Sequence, residues 1–136
     1  MKRKTLIVPC SGIGKTYGTV ARESAHIVTE DLRPNDTELM PLALVVLGED
    51  EVRETLAESS AIAIDGCKLS CAAKVMAESG GNVAHAIQVL DVYRRNRELK
   101  PAGIAELNEA GKQLAKVLAD EVAGLLDAIA AEENHA

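Results

Sequence analysis

A chain of 136 residues with a net charge of −6, 47% hydrophobic content and neither Phe nor Trp has the length of about one domain and enough apolar matter for a core. Its core must be built from Ala, Val, Leu and Ile, and it lacks both the stacking aromatics and the cationic surplus of nucleic-acid binders. No stretch approaches the ~20 apolar residues of a membrane helix, and the run behind Met1-Lys2-Arg3-Lys4, Leu6 to Val8, is too short for a signal-peptide core. The expectation is a cytoplasmic protein with reduced thiols and with neither nucleic acid nor membrane as partner.

Taken in chain order, Thr5-Leu6-Ile7-Val8 is β-branched and apolar and reads as a strand. It runs through Pro9 into the loop Cys10-Ser11-Gly12-Ile13-Gly14. Tyr17, Val20, Ala21, Ile27 and Val28 then mark one face of a helix from about Lys15 to Thr29. Leu32 to Asn35 reads as a loop, and Pro41 to Leu47 is apolar throughout, equally a buried helix or a strand. Glu49 to Ser59 suits a short helix, with acids in its first turn where the helix dipole favours them.

Ala61 to Ile64 is a second apolar strand, ended by Asp65-Gly66. Behind it Cys67 precedes a helix over Leu69 to Glu78, with Cys71 in the first turn. Ser79-Gly80-Gly81-Asn82 is a turn, Val83 to Val92 alternates as a third strand, and Arg94 to Ala102 is a polar connection. Ile104, Leu107, Gly111, Leu114, Leu118, Val122, Leu125 and Ile129 recur at helical spacing and predict one long helix over residues 103–133. That helix can lie on its own sheet or pair two subunits in a homo-oligomer.

The order predicts an α/β fold: a small parallel sheet of three or four strands with helices on its faces, plus the long C-terminal helix, in one domain over residues 1–136. In such sheets the site forms beyond the carboxyl ends of the strands. If the first two clear strands are neighbours, the loops carrying Cys10 and the Cys67 and Cys71 pair meet there.

Three thiols in a chain without a secretory signal point to a metal or to thiol chemistry. The leading reading is zinc held by Cys10, Cys67 and Cys71, since Cys-x3-Cys is a usual ligand spacing. Met40, Asp65, His26, His85 or solvent stand as candidates for a fourth position, Asp65 and Ser11 as supports of the ligands. A second reading makes Gly12, Gly14 and Lys15 an anion cradle before a helix. Gly14-Lys15-Thr16 matches the end of a phosphate-binding P-loop, but Pro9 stands where that motif has its first glycine. In a third, Cys10 is the nucleophile of a sulfurtransferase or phosphatase-like enzyme, with the anion held in that loop.

Pro9-Cys10-Ser11-Gly12 together with Ala63-Ile64-Asp65-Gly66-Cys67-x-x-x-Cys71-Ala72-Ala73-Lys74 resembles the DGC domain family, named for its Asp-Gly-Cys signature. The resemblance covers most of the chain up to about Val92. It implies zinc bound by four cysteines, of which Cys10, Cys67 and Cys71 match the family pattern. The remaining family cysteine precedes a Leu-Pro-like segment, and at Leu39-Met40-Pro41-Leu42 this chain has Met40 instead. A neutral thioether is a poor zinc ligand and suits copper(I) better. The resemblance therefore implies a fourth position open to solvent or to an exogenous ligand, an iron–sulfur cluster with one unprotected iron, or a member that has lost its metal.

Overall fold

The computed structural model describes residues 4–12, 14–66 and 69–135, with side chains up to Glu133. Four parallel strands form one sheet: β1 (Thr5–Pro9), β2 (Thr37–Leu39), β3 (Ser60–Asp65) and β4 (Asn82–Gln88), in the order β2-β1-β3-β4. The two central strands, β1 and β3, are buried along nearly their whole length, as their continuous apolar sequences require. The edge strand β4 alternates between exposed and half-buried positions.

Among the described residues six α-helices accompany the sheet: α1 (Thr16–His26), α2 (Leu42–Leu47), α3 (Asp50–Glu58), α4 (Cys71–Glu78), α5 (Val89–Arg94) and α6 (Glu109–His135). They fall into two groups: α1, α5 and α6 pack on one another, while α4 lies on β3 and β4 and touches α2, which touches α3. The chain thus leaves β1 for β2 by way of α1, then returns past β1 to reach β3. Between β1 and β3 the strand order reverses. At that point the crossover helices diverge and a crevice opens beyond the strand ends, where ligands of open parallel sheets bind.

Several boundaries differ from the sequence expectation, each for a visible reason. The expected third strand over Val83 to Val92 ends at Gln88, and Val89 to Arg94 is helical. Val89 and Val92, both fully buried, stand at i and i+3, a helical spacing that their β-branched character masked. The long helix starts at Glu109, because the Asn108 side chain accepts the Gly111 N–H at 2.8 Å and caps it there. Asn108 also accepts the Ala102 N–H at 3.0 Å, and Ile104, outside the helix, is 52% exposed.

The helix after β1 is regular only to His26 and continues as a π-helical turn, Ile27–Leu32, through part of the expected loop. The three-residue β2 is too short to leave a period in the sequence. Pro41 to Leu47 contributes α2, whose Leu42 and Val45 are buried while Leu44, Val46 and Leu47 face solvent. The helix expected from Leu69 starts at Cys71.

The apolar stripe of α6, with Leu114, Leu118 and Val122 fully buried, lies against α1, the π-helical turn and α5. No described helix is long and apolar enough to cross a membrane.

Candidate functional site

Cys10 follows the last residue of β1, and the register Pro9↔Ile64 brings it beside the end of β3. Its N–H donates to the Ile64 carbonyl at 2.8 Å. Its Sγ in turn accepts the Gly66 N–H at 3.2 Å, so the two loops are joined through the sulfur.

The loop can lie this close because three glycines meet behind it. Gly12 has φ +41°, and a Cβ on it would come 2.5 Å from the Gly18 Cα. A Cβ on Gly66 would lie 3.1 Å from the Gly18 nitrogen. The first turn of α1 therefore sits directly on both loop backbones, a packing that side chains would prevent. Arg22, one turn further along α1, donates to the Ser11 carbonyl and, at 3.2 Å, to the Thr19 hydroxyl. Thr19 donates onward to the Ile104 carbonyl at 2.6 Å.

On the other side of the crevice, Asp65 ends β3 as a buried carboxylate. Its two oxygens accept the Ala72 N–H at 2.7 Å and the Ala73 N–H at 3.2 Å. They cap α4 and satisfy donors that the helix itself leaves unpaired. Ser70 takes a left-handed conformation, φ 52°, and its hydroxyl accepts an N–H of Gln88 from β4 at 2.8 Å. These bonds set where α4 begins, and with it Cys71, its first residue.

Cys10 and Cys71 line one cavity of about 500 Å³ at the strand-order reversal. Ser11, Gly12, Lys15, Asp65 and Gly66 border it as well, as do Tyr17, Leu42 and Leu69. Of the residues singled out in the sequence, this brings together Cys10, Ser11, Gly12, Lys15, Asp65 and Cys71. Cys67 lies outside the described residues, as does Ile13 of the glycine loop.

Met40 is not among the lining residues. It is buried at the end of β2, where its N–H donates to Ile7 at 2.9 Å, and β1 separates β2 from β3. Nor do His26 and His85 line the cavity: His26 faces Glu30 at 3.4 Å at the end of α1, and His85 stands on the edge strand β4 in register with Ile62. Gly14, also expected in the anion cradle, does not line it, and the Lys15 N–H is engaged by the Gly12 carbonyl at 3.1 Å.

Residues 6–121 match the profile of the DGC domain, which is most of the chain. The chain belongs to the DGC domain family. No curated protein and no solved structure matches it closely enough to count as a relative. In this DGC domain the Asp of the signature supports the site through α4, since both of its oxygens are held by backbone donors. Among the described residues no group of three His, Cys, Asp or Glu side chains is placed to hold a metal ion. Among the side chains that border the cavity, the sulfurs of Cys10 and Cys71 are the ones that fit a soft cation rather than a hard one. Tyr17, Gly18, Arg22, Leu42 and Leu69 were not legible as site residues. Tyr17 alone carried a hint, as one of two aromatic residues in the chain.

Proposed function

We propose that this DGC domain binds a thiophilic metal ion, zinc foremost, through Cys10, Cys67 and Cys71. The observation that carries the reading is the shared cavity: thiols from two loops distant in sequence border one space, and the Cys10 sulfur accepts an N–H from Gly66, the neighbour of Cys67 in the chain. Zinc would supply a Lewis acid and would hold the ends of β1 and β3 together. With Asp65 committed to α4, and with Met40 a neutral thioether outside the cavity lining, the reading leaves three protein ligands. The fourth position then falls to solvent or an incoming group, the arrangement of catalytic zinc.

The test is metal analysis of protein purified without added metal, beside Cys10→Ser, Cys67→Ser and Cys71→Ser. About one equivalent of zinc is expected in the parent, with loss of stoichiometric binding in each variant. Because the metal would bind only the folded state, a strong chelator should also lower the Tm of the parent and leave the variants unmoved. A metal-free parent whose Cys10 is alkylated much faster than Cys71 would overturn the reading in favour of thiol catalysis by Cys10.

A further inference from the structure

We propose that the cavity at the strand-order reversal binds a small organic carboxylate with an apolar body, its head group at the start of α1 and its body against α2 and the turn before α4. This ligand needs no metal, and its site is built from described residues alone. A volume of about 500 Å³ falls within the range of small-molecule pockets. Its walls divide by segment. Ser11, Lys15 and Thr16 all come from one short run where β1 passes into α1, and their hydroxyl and ammonium groups have no partner among the described residues. Leu42 belongs to α2 and Leu69 to the turn before α4, while the thiols of Cys10 and Cys71 add surface that packs as a small apolar group does. The Asp65 carboxylate does not compete for Lys15, because both its oxygens accept N–H groups of α4.

That division specifies the ligand. A wholly apolar occupant would take water from Ser11, Lys15 and Thr16 and return no hydrogen bond. A sugar would meet Leu42 and Leu69 with hydroxyls that find no partner there. Among the described residues Lys15 is the one cation on the wall, since Arg22 is turned to the Ser11 carbonyl. A single negative charge matches it, and a phosphate dianion does not. The polar wall is also fixed before any ligand arrives: Arg22 holds Ser11, and the Lys15 N–H donates to the Gly12 carbonyl at 3.1 Å, which lessens the ordering that binding must supply. Leu69 borders the cavity while 60% exposed, so an occupant would remove apolar surface from water.

The experiment is calorimetric titration of the full chain, with and without a strong chelator, by butanoate, hexanoate and octanoate, with hexanol, hexylamine and hexyl phosphate as controls. Each added methylene of the carboxylates should tighten Kd about fourfold, the factor that burying one confers, and hexanoate should bind more tightly than all three controls, chelator or not. Lys15→Gln, at an exposed position, should weaken hexanoate several-fold and leave hexanol unchanged. Leu69→Ser should flatten the chain-length series. Equal affinity along that series in the parent overturns the apolar wall, and hexylamine or hexyl phosphate binding as tightly as hexanoate overturns the single negative charge. Hexanoate binding that Lys15→Gln leaves unchanged, or that the chelator abolishes, puts the carboxylate elsewhere or on a metal and overturns the assignment. Binding by none of the probes overturns the pocket itself, while the metal reading above stands or falls separately on zinc content.

Discussion

An alanine at position 18 would place its Cβ 2.4 Å from the Gly12 carbonyl oxygen and 2.6 Å from the Gly12 Cα, backbone atoms that cannot swing aside. Either α1 or the Cys10 loop must move, and overpacking of this kind costs about 1–3 kcal/mol. Gly18→Ala should lower the urea midpoint accordingly with an unchanged m-value. An unchanged midpoint would mean that the contact between α1 and the loop is looser than described.

Asp65 matters for a different reason. Its carboxylate satisfies two backbone donors at the start of α4, and Asp65→Ala leaves them without it. A loss of about 1–3 kcal/mol is expected from denaturant unfolding. A neutral outcome would show that the cap is dispensable. At this scale the sequence was informative about chemistry and silent about geometry. The thiols stood out because Cys is rare and reactive, whereas Arg22 and Gly18 act through contacts with Ser11 and Gly12 that no local pattern announces.

The elements were legible wherever a full period fits. The apolar runs of β1 and β3 and the long stripe of α6 could be read directly, while the three residues of β2 and the passage from β4 to α5 could not. There, tertiary burial of Val89 and Val92 decides for helix against the strand preference of valine. The start of α6 depended on a single capping side chain, Asn108, standing after a stretch whose Ile104 had suggested an earlier beginning.

One ion pair adds a pH dependence at this scale. Arg33, just past the π-helical turn, reaches Asp127 of α6 at 2.9 and 3.2 Å. The hydrogen bond from its guanidinium, aided by its charge, holds the Asp127 carboxyl below the ordinary carboxylate range. A value lowered in the folded state stabilises fully above the unfolded value of about 3.9, and that contribution fades as pH falls through the folded value. Both groups are solvent-exposed, so the effect should be small and screened by salt. In low salt the Tm difference between the parent and Asp127→Asn should shrink between pH 6 and pH 2. A difference independent of pH would show that the pair contributes nothing through charge.

Across the whole molecule, the strand order β2-β1-β3-β4 explains why residues so far apart in sequence share a site. Departure toward β2 and return toward β3 open a crevice between the two central strands, and both described cysteines border it. The sequence indicated a parallel sheet with its site beyond the strand ends, because alternating strands and helices leave few topologies. It could not indicate that β2 lies beyond β1. Nor could it show the cavity itself, whose walls come from α1, α2 and the turn before α4.

The proposed metal centre is tested most directly by X-ray absorption at the zinc edge of the loaded protein. Three sulfur neighbours at about 2.3 Å and one lighter atom are expected. A shell of nitrogen and oxygen alone, or one that keeps three sulfurs in Cys10→Ser, would contradict the account.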